Sequence, residues 1–406
     1  MRDEWEMRAL ADVCLTIQDG AHESPKVQFD APGEGRFPYI TSKHIRVNYL
    51  DLEDVSYVDR AFHDRIYPRC QPSVGDVLLT KDGANTGNVT LNTLDEPLSL
   101  LSSVCLIKTN PAVLIPSFLS YYLQSPDGLM NITGQMSGAA IRRIILRDIK
   151  RATIPIPPLT EQHRIVGVLD EALARIVTAR ENAEKNLRNA RALFEGHIAS
   201  VLGHSRGRCP EGRLGDVCNT SSGGTPLKSR REYYEGGTIP WLLSGEVAQG
   251  EVREATRFIT EDGLNASSAK VFPANTVLVA MYGATAGQVG ILRFEATTNQ
   301  AICGIFPNKD FIPEFLLYLL LSKKAMLVAQ AAGNAQPNIS QAKIRSLAVP
   351  LLSLMDQRRV VERLASSQTE TKRLERVYQR KLTALEELRQ SFLDEAFRGR
   401  LTKKAA

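Results

Sequence analysis

At 406 residues the chain is too long for one comfortable hydrophobic core, so two or more domains are expected. Apolar residues make up 43% of it, which excludes a disordered chain. The formal net charge of +5 does not by itself announce a nucleic-acid binder: 160–200 holds six basic and six acidic residues, 355–400 holds eleven and eight, Lys403 and Lys404 add to the tail, and the remainder is balanced.

The N-terminus, Met1-Arg2-Asp3-Glu4-Trp5, has no apolar signal-peptide core, and the densest apolar run, Phe315 to Leu321, is too short to span a bilayer. A soluble, cytoplasmic chain without a membrane partner is expected. Residues 1–157 mix short β-rich runs with turn signals. Val77-Leu78-Leu79-Thr80 is predicted as a strand ending in a glycine-containing turn, and Pro116 to Leu123 as a short helix with proline near its start. Segment 158–205 is predicted as one long helix. Pro157 and Pro158 precede it, Thr160 is its expected N-cap, and from Thr160 to Leu202 there is no proline. Residues 206–352 return to β-rich runs, with a strand at Thr276 to Ala280 and a short helix at Pro313 to Ser322. Segment 353–406 contains a second long helix, from Met355 to Phe397.

The chain is written twice. Leu10-Ala11-Asp12-Val13-Cys14 returns as Leu214-Gly215-Asp216-Val217-Cys218. Phe37-Pro38-Tyr39-Ile40 returns as Ile239-Pro240-Trp241-Leu242. Val77-Leu78 with Gly83-Ala84-x-x-Gly87-x-Val89 returns as Val277-Leu278 with Gly283-Ala284-x-x-Gly287-x-Val289. Ile115-Pro116-x-Phe118-Leu119 returns as Ile312-Pro313-x-Phe315-Leu316, and Pro155-x-x-x-Leu159-x-x-Gln162-x-Arg164 as Pro350-x-x-x-Leu354-x-x-Gln357-x-Arg359. The offset drifts from 204 to 195, as small loop deletions would produce. A period near 200 is too long for a solenoid and implies two similar domains with approximate two-fold symmetry available to them.

Both long helices carry a narrow apolar seam at spacings of three and four. In the first it includes Ile165, Leu169, Ile176 and Leu187; in the second, Leu364, Leu374, Leu385 and Leu388. Each helix alone would expose its seam, so an antiparallel pair is the expected arrangement; local packing of each helix on its own domain is the alternative. About 40 residues at ~1.5 Å each give a rod of ~60 Å. The fold class is therefore α+β: two similar globular domains separated by two long antiparallel coiled-coil helices, with a pseudo-two-fold internal repeat.

Catalytic signatures are missing. There is no phosphate-binding G-x-x-x-x-G-K-[ST] loop, no Asn-Pro-Pro-Tyr/Phe, no G-x-G-x-x-G and no H-E-x-x-H, and Pro126-Asp127 lacks the acid-x-lysine a metal-dependent nuclease needs. Six cysteines include no C-x-x-C pair; Cys14, Cys105, Cys218 and Cys303 fall in apolar, strand-like segments as small buried hydrophobes. No catalytic residue, metal ligand or cofactor is assigned.

Repeat, helices and absences together resemble the specificity subunit of type I restriction–modification systems across essentially the whole chain. Asp19-Gly20-x-His22-x-x-Pro25 and Ser222-Gly223-Gly224-Thr225-Pro226 look like the two common openings of its recognition domains. Gly75-Asp76-Val77-Leu78 with Gly83-x-x-x-Gly87, and Gly283-x-x-x-Gly287, look like its central strand and turn. Ile154-Pro155-Ile156-Pro157-Pro158-Leu159-x-x-Gln162 looks like the approach to its long helix; Val349-Pro350-Leu351-Leu352-Ser353-Leu354 lacks the proline pair.

The resemblance implies a sequence-specific, non-catalytic DNA-binding subunit. Double-stranded DNA, two methyltransferase subunits and translocating restriction subunits would be its partners, with S-adenosylmethionine and ATP belonging to those partners. Each recognition domain would read half of a split target, and the helices would act as a ruler for half-sites about one turn, ~34 Å, apart. A coiled-coil assembly scaffold without DNA specificity is the alternative, and an enzyme with an unfamiliar site a third.

Base reading needs donors and acceptors in the major groove, and phosphate contacts need Lys, Arg or backbone N–H groups. In the first domain the candidates are Ser42, Lys43 and His44, Lys81 and Asn85 of the glycine turn, and Arg142 and Arg143 of the basic cluster that continues to Arg147, Lys150 and Arg151. In the second they are Lys228, Arg230 and Arg231, then Tyr282, Thr285 and Gln288 of the glycine turn, and Asn334, Gln336 and Asn338 of an amide-rich loop suited to adenine edges. The arginine cluster is expected to hold phosphates. Each candidate could instead be a solvated turn. His22 is expected to hold its loop, and Trp5 and Trp241 to anchor domain cores or surfaces.

Overall fold

The computed structural model describes residues 5–83, 85–133, 143–203, 209–331 and 338–401. It divides into two compact units, Met1–Ala183 with Arg380–Ala406, and Glu184–Gln379.

The first unit is built on a four-stranded antiparallel sheet in the order Cys14–Asp19, Val104–Thr109, Val77–Thr80, Val89–Leu91. The predicted strand at 77–80 is therefore central. It is buried at all four positions, as expected of an apolar run without alternation that is covered on both faces. A second sheet pairs Arg36–Ile40 antiparallel with Ser56–Asp59 and parallel with Ser99–Leu100. Glu6–Ala9 pairs with Thr153–Ile156 and ties the N-terminal strand to the start of the first long helix, Leu159–Gly203. That helix begins two residues earlier than a Thr160 cap implies. Thr160 thus lies inside its first turn instead of capping it, because Pro158 already accepts from the Glu161 and Gln162 N–H groups.

The second unit repeats this plan. Its sheet runs Thr220–Ser222, Ile302–Ile305, Val277–Ala280, Val289–Leu292, with Glu251–Val252 added in parallel at the edge. The registers match: Val77 faces Ile107 and Leu91, and Val277 faces Ile305 and Ile291. The predicted helices at 116 and 313 form as Pro116–Gln124 and Pro313–Ala331. The latter runs well beyond Ser322 because the chain stays rich in helix formers through Lys323, Lys324, Ala325, Met326 and Leu327. The second long helix, Leu354–Phe397, starts at a Ser353 cap whose hydroxyl accepts from the Asp356 N–H at 3.2 Å.

Each unit holds a piece of both long helices, packed on the unit's own core and on each other. In the first unit, Ile165, Leu169, Leu173 and Ile176 share a core with Phe118, Tyr122, Leu393, Ala396 and Phe397. Phe397 meets the rings of Phe118 and Tyr122 edge-on, each with centroids 5.2 Å apart. In the second unit, Arg191 pairs with Glu375 at 2.6 Å. About two turns further along the first helix, Ile198, Val201 and Leu202 share a core with Val360 and Leu364. Rising numbers on one helix meet falling numbers on the other, so these segments run antiparallel. The expected seam and the alternative of local packing are thus both realised.

The seam is not closed throughout. Leu187, Leu374 and Leu385 are half-buried, and Leu388 is 45% exposed. In the first unit Leu385, Leu388 and Phe392 line an open groove of about 420 Å³ with Val168, Ala172, Ile176 and Ala179. The facing alanines offer only methyl groups, too short to fill it. No helix among the described residues is long and apolar enough to cross a membrane.

Candidate nucleic-acid interface

The glycine turns follow the central strands, and their backbones agree bond for bond. Gly87 N–H donates to the Thr80 carbonyl at 2.9 Å and Gly287 to Ala280 at 2.8 Å. Thr80 returns a bond to Asn88, and Ala280 to Gln288, each at 2.9 Å. Inside the turns, Asn88 donates to Asn85 as Gln288 does to Thr285, and Thr86 to Gly83 as Ala286 does to Gly283. The glycines are required: φ is +102° at Gly83, +92° at Gly87, +68° at Gly283 and +79° at Gly287. A Cβ on Gly87 would also stand 3.0 Å from Leu129, and one on Gly287 2.9 Å from Val328.

Around the first turn the structure gathers several predicted residues. Ser42 sits on a short helical turn with Lys43 and His44. Its carbonyl accepts from Asn85 Nδ2 at 3.1 Å, and its hydroxyl lies 3.1 Å from where a Gly83 Cβ would be. Arg143 is exposed and approaches Asp82, with Nε 3.9 Å from the carboxylate. Lys43 is exposed and donates to the Asp54 carbonyl at 3.2 Å.

His44 and Lys81 do not present themselves to a ligand. The His44 ring is 2% exposed, accepts from the Thr41 N–H at 2.9 Å and closes a capping box; burial holds its pKa below the ordinary histidine value. Lys81 is 3% exposed and donates to Asp19 at 2.7 Å. Asp19 also accepts from Arg69 at 2.8 Å and stands 3.4 Å from His22. Burial pushes the Asp19 carboxyl up, but the Lys81 and Arg69 hydrogen bonds and charges outweigh it and hold the group below the ordinary carboxylate range. This cluster fixes the Asp19-Gly20-x-His22 opening against the strand that leads into the turn. Gly20 allows the close approach: a Cβ there would fall 2.2 Å from the Leu100 carbonyl oxygen.

Around the second turn, Tyr282 is 37% exposed and Asn338 is exposed, while Thr285 and Gln288 are half-buried. The turn is closed on itself where Thr285 Oγ1 donates to the Tyr282 carbonyl at 3.3 Å. Lys228, Arg230 and Arg231 follow the separate Gly-Gly-Thr-Pro turn, all exposed, with Arg231 opening a short helical turn, Arg230 paired to Glu232 at 3.1 Å and Arg231 to Glu235 at 4.0 Å. The Gly-Gly-Thr-Pro turn is anchored by Trp241, 3% exposed, whose Nε1–H donates to the Gly224 carbonyl at 3.0 Å. Arg142, Asn334 and Gln336 lie outside the described residues.

Four residues at this site carry no signal of their own in the sequence: Asp82, Asn48, Gln124 and Arg389. Asp82 is flagged only by following Lys81 where Tyr282 follows Met281. Gln124 donates to Asn48 Oδ1 at 2.6 Å and accepts from Arg389 at 2.7 Å, joining the second long helix to the loop beside the first turn. No motif marks this pair, because the contacting residues lie 265 positions apart.

Cys303 is buried and Cys14 half-buried, and both behave as small hydrophobes. Burial raises the Cys14 and Cys303 thiols to about 12, far from a nucleophile's range.

The family model described as the type I restriction modification DNA specificity domain matches twice, at residues 2–186 and 210–383. The chain is 24% identical over 385 residues to the MjaVIII type I specificity subunit of Methanocaldococcus jannaschii, covering 90% of this chain and 86% of that one. It is 27% identical over 232 residues to the EcoR124I/EcoR124II specificity subunit of Escherichia coli, covering 55% of this chain and 56% of that one. Among solved structures, a chain from a study of complex assembly in a type I restriction–modification system superposes with a TM-score of 0.73 at 22% identity over 99% of both chains. The specificity subunit from Thermoanaerobacter tengcongensis superposes with a TM-score of 0.50, also at 22% identity, over 99% of this chain and 98% of that one. Two matches to one specificity-domain model, on the two copies of one internal repeat, establish that the chain belongs to the type I restriction–modification specificity subunits.

Proposed function

We propose that this chain reads a bipartite double-stranded DNA target, with one half read by each globular copy, and does no chemistry itself. Segments 1–157 and 206–352 are the two reading modules, and 158–205 and 353–406 the helical spacers that set their separation. Two methyltransferase subunits dock on the chain, restriction subunits join them in the cytoplasm, and those partners supply the catalysis.

The observation that carries this is a pair of glycine turns with the same backbone hydrogen bonds and different side chains. A constant frame with divergent polar decoration suits two modules that dock on DNA in the same way and read different bases. Ser42, Asn85 and Arg143 line the first turn, and Tyr282, Thr285, Gln288 and Asn338 the second. Lys43, Lys228, Arg230 and Arg231 are exposed cations suited to phosphates. Lys81 and His44 hold the backbone from below. Membership of the specificity family favours this over a bare coiled-coil scaffold.

Selection from randomised duplexes by the chain assembled with its methyltransferase subunits tests the proposal. Two short specified blocks separated by a fixed unspecified spacer are expected. A single continuous block, or no preference, refutes it.

A further inference from the structure

Arg143 and Asn338 occupy the same structural position in the two units. Arg143 forms an isolated antiparallel bridge with Asp82, and Asn338 forms one with Tyr282. The neighbouring bonds match: Ile144 N–H donates to the Lys81 carbonyl and Ile339 N–H to that of Met281, both at 2.8 Å. Lys81 and Met281 in turn donate across the sheet to Ser103 and Ala301, at 2.8 and 2.7 Å. Both bridges sit at the first residue of their glycine turn. On each, one side chain comes from the turn and one from the returning loop, and both remain open to solvent.

The frame is duplicated but the chemistry is not. The first bridge carries a carboxylate and a guanidinium, whereas the second carries a phenol and an amide. Next to the bridges Ile144 and Ile339 are already sealed, at 1% and 0% exposure, so the surface pairs are not needed to cover the core. The Asp82–Arg143 contact is loose and exposed, so it adds little stability. What the backbone bridge and the nearby carboxylate can do together is keep the guanidinium fork at the rim of a turn whose glycines permit close approach. A fork so held matches the O6 and N7 acceptors of guanine, and an amide such as Asn338 matches N6 and N7 of adenine.

We infer that each bridge is the specificity-determining pair of its module: Asp82 orients Arg143 onto a guanine of the first half-site, and Tyr282 flanks Asn338 on an adenine of the second. This rests on the DNA-reading function proposed above. It gives Arg143 a role in base discrimination, distinct from the phosphate contact expected from the sequence, and makes Asp82 a positioning residue.

The test transplants one bridge onto the other frame. The chain carrying Asp82→Tyr and Arg143→Asn is assembled with its methyltransferase subunits, and its binding to single-mismatch duplexes is compared with that of the unaltered complex. A change of preferred base at one position of one half-site is expected, with discrimination there altered by about 5- to 150-fold and the other half-site unchanged. Two single variants guard against misfolding: Arg143→Lys, which keeps the charge but loses the fork, and Asp82→Asn, which loosens the orientation. Both should relax discrimination at that same position. Unchanged base preference in all three variants overturns the inference, as does a uniform loss of affinity with unchanged ratios between duplexes. If the unaltered complex itself shows no base preference, the DNA-reading function fails, and this inference with it.

Discussion

Gln162 and Gln357 occupy the same place in the two copies and make the same hydrogen bonds. Gln162 Oε1 accepts from the Ile115 N–H at 2.9 Å, while its Nε2 donates to the Val113 and Pro157 carbonyls at 2.8 and 2.9 Å. Gln357 accepts from Ile312 at 2.8 Å and donates to Asp310 and Leu352 at 2.7 and 3.0 Å. Both side chains are fully buried. Each fastens the first turn of a long helix to the loop before the helix that packs on the central sheet, so the spacer cannot swing independently of its module.

Gln162→Ala should therefore destabilise the first unit and Gln357→Ala the second. Each leaves a buried N–H and two carbonyls without partners, at about 1–3 kcal/mol per orphaned group that water cannot reach. Denaturant midpoints report the loss. An unchanged midpoint for either variant would show that the clasp adds nothing to the fold.

The Asp19–Lys81 pair offers a test that uses the second copy as its own control. Asp19 and Ser222 stand at equivalent positions, opposite Cys105 and Cys303, and Lys81 corresponds to Met281. Asp19→Ser alone strands the buried Lys81 charge and should cost about 3–5 kcal/mol. Lys81→Met alone should cost less, because Arg69 still pairs with Asp19. The double variant, which recreates the second copy's pair, should be more stable than Asp19→Ser. A double variant no better than Asp19→Ser contradicts this.

The same cluster sets a pH dependence. The Asp19 carboxyl titrates below its ordinary value when folded, so its contribution is complete above the unfolded carboxylate range and is lost as pH falls through the folded value. Below about pH 4 the unaltered chain should lose stability more steeply than the double variant. Parallel acid-unfolding curves would refute the assignment.

Burial ranks the seam positions. Leu364 is fully buried in the second unit, whereas Leu374 is half-buried. Leu364→Asp should cost ~3 kcal/mol or more, and Leu374→Asp clearly less, because its carboxylate stays hydrated. Equal losses in the two midpoints would mean that Leu374 is as deeply packed as Leu364.

Much of this architecture is legible in the sequence because the chain repeats itself. Val77 and Val277, Gly87 and Gly287, and Gln162 and Gln357 announce the same strand, turn and helix start twice over. The interface is less legible. Residue type suggested Lys81 and His44 as contacts, yet a lysine beside a buried aspartate and a histidine in a capping box are consumed by the fold. Asp82 carries no local sequence signal, and only the bridge to Arg143 puts it at the site. The link from Arg389 through Gln124 to Asn48 depends on tertiary packing and leaves no local pattern.

The most direct measurement of modular half-site reading is a module exchange. Residues 206–352 are replaced by the corresponding segment of another specificity subunit, and the target of the assembled methyltransferase is mapped by duplex selection. Separate cores predict separate specificities. One specified block should change to that of the donor while the other block and the spacer length stay as they were. Simultaneous change of both blocks, or a target that stays entirely unchanged, would contradict the account.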